Sequence, residues 1–182
     1  LLAKSEFDRL ITNLPRSDLL MNAKYKSALC LYELSPKQKY DQNFTREAIA
    51  TFEEFLADPR SESDAEILIE VNNRLFDLNE KLAAKDLQSA RLYRKMQEYE
   101  SAIFYLEDAM TAYNKFGFVN IIPEALFEKG ECYISLENFE NARESFQAIV
   151  DNFPDNALVL KAKDRLVLLE TTIARADTST FE

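Results

Sequence analysis

An enzyme working near neutral pH needs a group that titrates there, a nucleophile beside a base, or a cluster that holds a metal. This sequence offers little of any of them. It contains no histidine, which removes the commonest general base and every imidazole metal site. Its only glycines are Gly117 and Gly130, too few for a loop that cradles phosphate. Its 32 acidic side chains fall largely where helix faces would meet solvent. No catalytic residue, metal site or cofactor is predicted. A small-ligand sensor or an enzyme would need a pocket with convergent polar groups, and the sequence supplies none. The chemistry left is recognition. Arg91, Arg94 and Lys95 cluster in a chain of net charge −10, and guanidinium groups grip carboxylates through paired hydrogen bonds.

The elements that would position such a cluster follow from composition. Two glycines and five prolines in 182 residues leave long unbroken stretches, which suit helices and not the many turns of a β fold. A hydrophobic share of 47% beside 30% charged residues is that of a folded chain with a real core. The acidity speaks against a nucleic-acid partner, which asks for a basic stripe. No run reaches the roughly 18 apolar residues of a membrane span.

Internal self-similarity carries the strongest signal. From Pro123, the residues Leu126, Gly130, Tyr133, Phe139, Ala142, Phe146 and Pro154 stand at fixed offsets. That is the tetratricopeptide pattern, a helical hairpin in which small residues sit where the two helices cross, aromatics fill the space beside them and proline ends the second helix. One repeat earlier the frame passes through Ala90, Tyr93, Tyr99, Ala102, Leu106 and Ala109. Ala102 and Ala142 lie 142 − 102 = 40 residues apart, against a family period of about 34. The excess falls between Asn114 and Ile122. Earlier still, Ala28 anchors a first helix, and Ala48, Phe52, Phe55 and Pro59 a second, with a long loop at 35–43 between them.

The predicted fold is thus an all-α, tetratricopeptide-type solenoid of antiparallel helix hairpins, a single domain over 1–176. Its parts are a half repeat at 1–15, a repeat with a long internal loop at 18–59, a repeat with an extended first helix at 61–113, a repeat at 123–154 and a capping helix at 156–174. Residues 177–182 are expected to be a frayed tail. Ala3, Phe7, Leu10 and Pro15 read as the second helix of a repeat, so the chain is expected to be truncated at its N-terminus. Between Arg60 and Tyr99 there is neither glycine nor proline. Ser63 and Glu66 read there as a capping box, followed by an apolar seam at Ile67, Val71, Leu75, Leu78 and Leu82. The spacing predicts one very long helix, or two meeting near Ala83. Asn156 can cap a last helix through Leu158, Ala162, Leu166 and Leu169, whose task would be to close the stack.

The stretch from Lys81 to Tyr113 resembles the BamD family (ComL or YfiO), lipoproteins of the bacterial outer-membrane β-barrel assembly machine. Asp86, Ala90, Tyr93, Tyr99 and Tyr113 carry the likeness, together with the long loop before Ala48 and the long helix after Pro59. The family has Glu at the place of Asp86 and Tyr-Pro at Tyr113-Asn114. An arginine that some members use to contact the barrel protein aligns with Tyr105. Ser27-Ala28-Leu29 before Cys30 is not a lipobox. The resemblance implies a non-catalytic adaptor on the periplasmic face of the outer membrane, anchored by an N-terminal lipid absent from this chain. It would dock on the POTRA domains of a BamA-like subunit and help receive unfolded outer-membrane protein segments. The alternative is another tetratricopeptide scaffold of the periplasm or cytosol, serving the Tol system or secretion.

The register projects a partner or peptide groove from the first helix of each hairpin: Tyr25 and Tyr32, then Arg91, Arg94 and Lys95, then Phe127, Glu131 and Ile134. The three cations either grip an acidic partner or pair along their own helix with Asp86, Gln88 or Glu98. The segment 115–122 is too apolar for an ordinary turn. With Tyr105, its Phe116, Phe118 and Ile121 are either a docking patch or core. Tyr40, in the long loop, poses the same alternative. Cys30 and Cys132 take equivalent slots in non-adjacent repeats, beyond the roughly 7 Å reach of a disulfide, and two free, largely buried thiols are expected.

Overall fold

A computed structural model describes residues 1–113, 116 and 121–179. Among these every long element is a helix. They are α1 (Leu2–Asn13), α2 (Leu20–Leu34), α3 (Asn43–Leu56), a 3-10 turn (Pro59–Ser63), α4 (Ala65–Lys95), α5 (Tyr99–Tyr113), α6 (Ile121–Ser135), α7 (Phe139–Asn152) and α8 (Val159–Ser179). The chain divides into two compact units, Leu1–Leu82 and Ala83–Glu182. The long stretch without breakers is one continuous helix, α4, and the division falls within it beside Ala83.

In the first unit α1, α2 and α3 pack in sequence. Ala28 and Ala48 are wholly buried, as small residues at a hairpin crossing must be, and Phe52 and Leu31 fill the space beside them. The early part of α4 adds Val71, Leu75 and Leu78, the predicted seam. Burying one such large side chain is worth about 1.5–3 kcal/mol, against about 0–1 kcal/mol for a surface ion pair. The apolar seam therefore holds this unit together. Lys24 on α2 bonds Asp58 beyond the end of α3 at 2.9 Å, and Arg60 reaches the same carboxylate at 2.7 Å.

The predicted capping box at Ser63 and Glu66 is corrected by the structure. Asp64 is the residue whose carboxylate accepts the first amides of α4, from Glu66 and Ile67, both at 3.1 Å. The Ser63 hydroxyl instead donates backwards to the Arg60 carbonyl at 2.8 Å, closing the 3-10 turn. Of two adjacent capping residues, the one nearer the helix took its amides.

In the second unit α5 to α8 pack as consecutive neighbours. Ala90, Ala102, Gly130 and Ala142 are all buried. A methyl built on Gly130 would lie 2.6 Å from the Phe146 ring, so only glycine fits there without displacement. The α4–α5 and α6–α7 turns repeat one design. Gln97 and Glu137 take left-handed φ values of 64° and 58°. In each turn two successive amides bond back to the helix end, those of Gln97 and Glu98 to the Arg94 and Tyr93 carbonyls and those of Glu137 and Asn138 to the Ile134 and Tyr133 carbonyls. This is a Schellman-type ending, met here without the glycine that usually supplies it.

Helix α8 buries Val159, Ala162 and Leu169 and leaves Leu160, Val167 and Leu168 exposed. Its outer face is mixed, with Lys161, Lys163, Asp164, Glu170, Thr171 and Thr172 exposed among those apolar side chains. Its backbone is helical through Ser179, so residues 177–179 of the expected frayed tail are helical, and 180–182 lie outside the described residues.

Candidate partner-binding site

Helices α4 and α6 carry the basic cluster and its partners. Arg91 donates from Nε to Glu128 at 2.9 Å and from a terminal nitrogen to Glu124 at 2.8 Å. Arg94 Nε meets the other Glu128 oxygen at 2.8 Å. Further along α6, Glu131 takes Arg165 of α8 at 2.6 Å. Three arginines and three glutamates thus interlock across successive hairpins, and Lys95 stays exposed beside them. The face is electrically balanced. The pairing of these arginines runs to α6, 33 and 37 residues away, and not along α4 as the alternative reading had it. A ligand carboxylate would have to displace Glu124 or Glu128 to reach Arg91.

Glu128 is the hub. Its side chain is only 13% exposed and bridges both arginines. Arg94 Nε and the Glu128 oxygen facing it are buried, meet as an ion pair without hydrogen-bond geometry, and have no hydrogen-bond partner among the described residues. Glu128 is the enclosed member, so losing both arginines would leave its carboxylate without a partner at 13% exposure, whereas losing one leaves the other in contact. The network orders α4 against α6 and fixes the face they share.

The other projected groove residues are dispersed. Tyr25 is corrected: it is 5% exposed, packed on Phe55 with ring centres 6.1 Å apart. Burial and its hydrogen bond to Glu70 push its phenol up to about 12. A side chain so enclosed does not line an open groove. Tyr32 is half-buried under the Arg74 guanidinium, 4.4 Å above its ring, and its hydroxyl donates to Asp77 at 3.1 Å. Phe127 and Ile134 turn partly into the core beside Phe146.

Tyr105, of the expected docking patch, is partly exposed and stacks on Tyr93 with centroids 4.9 Å apart and planes 13° from parallel. The Tyr93 hydroxyl bonds it and raises its phenol above the ordinary value. Ile121 is half-buried against Leu87, Ala90 and Leu106, and Phe116 is half-buried. Phe118 lies outside the described residues. Sequence reasoning missed Phe104, next to Tyr105 and 65% exposed, and the exposed Leu92 near the end of α4 and Met96 just beyond it. Apolar periodicity alone cannot mark them, since a helix places apolar residues on its outer face too. Cys132 is buried, and that burial pushes its thiol up to about 11. Cys30 is half-buried, and both are free thiols.

No cluster of three or more cysteine, aspartate or glutamate side chains able to hold a metal ion occurs among the described residues. No described helix is long and apolar enough to cross a membrane. The arrangement is suited to holding a shaped surface, and comparison with known proteins identifies its kind. The model of the outer membrane lipoprotein family YfiO matches residues 1–136, three quarters of the chain. The chain belongs to that family. A tetratricopeptide repeat model matches residues 124–156, the hairpin of α6 and α7. The outer membrane protein assembly factor BamD of Caulobacter vibrioides is 26% identical over 155 residues. That alignment takes in 84% of this chain and 48% of the relative, so the chain spans about half the length of that YfiO-family protein. Among solved structures, the C-terminal tetratricopeptide domain of a Plasmodium falciparum FK506-binding protein aligns with a TM-score of 0.43 at 21% identity, over 87% of this chain and 95% of that one.

Proposed function

We propose that this chain is a non-catalytic adaptor of outer-membrane β-barrel assembly, acting at the periplasmic face of that membrane. It would dock on the POTRA domains of the barrel-inserting, BamA-like subunit and help receive unfolded outer-membrane protein segments. The observation that carries the reading is the family match over residues 1–136. The geometry supports it in a particular way. The ion network of α4 and α6 supplies an ordered face without consuming the exposed apolar side chains Leu92, Met96 and Phe104. Interface anchors are commonly of that kind, apolar side chains ringed by polar groups.

A pull-down from outer-membrane extract tests the proposal. A POTRA-containing barrel protein should be retained by the chain and lost when Phe104→Asp and Leu92→Asp are introduced together. Retention of Tol-system or secretion components in its place would transfer the chain to the alternative scaffold role. Lys95→Glu tests the groove separately, since it reverses the exposed cation of the cluster and should weaken partner binding while the Arg91 and Arg94 pairs to Glu128 stay in place.

A further inference from the structure

The loop between α2 and α3 is longer than a hairpin needs, and it is held in one shape. The Gln42 side chain is 2% exposed. Its amide donates to the carbonyls of Lys37, at 3.0 Å, and Tyr40, at 2.9 Å. Its carbonyl accepts from the Thr45 hydroxyl at 2.7 Å. The Thr45 oxygen lies 2.7 Å from that of Ser35, which in turn accepts from the Lys81 ammonium at 2.7 Å. A backbone bond from Tyr40 to Lys37 closes the turn. In this chain Gln42 and Thr45 are buried, Ser35 and Lys81 half-buried, and each finds a partner, the condition under which such a network rigidifies instead of destabilising. A spare loop would not need it.

What the network presents from Lys37 to Arg46 is a cationic excess, three cations against the single acid Asp41, in a chain of net charge −10. Lys37 and Lys39 are exposed on the loop and Arg46 on the first turn of α3. None of the three is in ion-pairing range of a carboxylate among the described residues, whereas Lys4, Lys24, Arg60 and Arg74 of the same unit all are. The aromatics Tyr40 and Phe44 are interleaved with them, 55% and 37% exposed. Lys39 lies 5.0 Å from the Tyr40 ring centre and extends its apolar surface.

We propose that this pinned loop and the first turn of α3 form a second docking surface, whose occupant is an acidic, apolar peptide segment of a partner protein. The cations supply the complementary charge, and the two rings take the apolar side chains between the carboxylates. Holding the loop in shape beforehand removes an ordering cost that would otherwise weaken so small a contact. An anionic membrane fits less well. It would face an extended surface of a chain whose net charge is −10, while a short peptide senses only charges within about a Debye length, ~8 Å in physiological salt. The surface is independent of the face formed by α4 and α6, and either reading can fail alone.

The test is fluorescence anisotropy with a labelled hexapeptide of alternating glutamate and phenylalanine, titrated with the whole chain. Binding is expected, and it should weaken with salt. Lys37→Glu with Lys39→Glu should weaken it at least about tenfold while the circular dichroism melt is unchanged. Gln42→Ala, which keeps every cation but releases the loop, should also weaken it several-fold. Failure of the wild-type chain to bind, or equal binding by the charge-reversed variant, overturns the proposal. Equal binding by Gln42→Ala overturns the claim that the loop is prepared for its partner. Phosphatidylglycerol vesicles are titrated in parallel, and their binding the chain through Lys37 and Lys39 in preference to the peptide would reassign the surface to the membrane.

Discussion

Replacing Gly130 by alanine sets two effects of opposite sign against each other. Glycine inside a helix is less favourable than alanine by about 1 kcal/mol, so on propensity alone Gly130→Ala should stabilise α6. The crossing with α7 opposes this. The new methyl would stand 2.6, 2.7 and 2.9 Å from three carbons of the Phe146 ring, against 3.4 Å or more for ordinary contact. Phe146 is wholly buried, with Phe127 against it at 5.3 Å, so the ring must move by close to 1 Å within a filled core. Overpacking of this kind costs about 1–3 kcal/mol. The net expectation is a loss of about 1 kcal/mol, or a fall of about 2–4 °C in Tm for a chain of this size. Thermal and urea melts followed by circular dichroism measure it. In a Phe146→Leu background the methyl has room, and the same change should become neutral or stabilising. A Gly130→Ala chain that melts higher than wild type would refute the close crossing of α6 and α7, and with it the reason assigned to the glycine.

Gln97 and Glu137 hold left-handed backbone angles in the two matching turns, a conformation costing a non-glycine residue about 1–2 kcal/mol. Gln97→Gly and Glu137→Gly should each raise stability by up to about 1 kcal/mol, read by urea melts. Cys132, buried and with its thiol pushed up to about 11, is only roughly one part in a thousand thiolate at pH 8. An Ellman assay should titrate Cys30 rapidly and Cys132 only in denaturant. Asp58 is held well below the ordinary carboxylate value, by Arg60 first and then by Lys24. Its contribution is therefore complete above the unfolded value near 3.9 and is lost as the pH falls below it toward the depressed folded value. Stability measured from pH 5 down to pH 2 should fall less steeply in Asp58→Asn than in wild type.

The hairpin register was legible because its physics is local and repetitive. Small residues recur at the crossings, and Ala28, Ala48, Ala102 and Ala142 are all wholly buried. The absence of breakers left open one long helix or two meeting near Ala83, and the chain forms one, the 31-residue α4. The recognition surface was less legible, since its contacts join residues distant in sequence. That Arg91 meets Glu124 and Glu128 depends on how α6 lies against α4, and helix periodicity says nothing of that. Tyr25 illustrates a smaller error, where a modest rotation about the helix axis separates a groove position from the core. Ser63 and Asp64 were both competent caps, and the choice between them rested on the 3-10 turn that precedes α4. The polar network beneath the 35–42 loop joins Ser35, Gln42, Thr45 and Lys81, residues that carry no pattern in the sequence.

The adaptor role meets its most direct test in isothermal titration calorimetry of the purified chain against the isolated POTRA domains of a BamA-like protein. Saturable one-to-one binding is expected, with a negative heat-capacity change from the apolar surface buried and a loss of affinity on Phe104→Asp. Absence of binding with every POTRA domain present and folded, at protein concentrations of about 100 μM, would contradict the account.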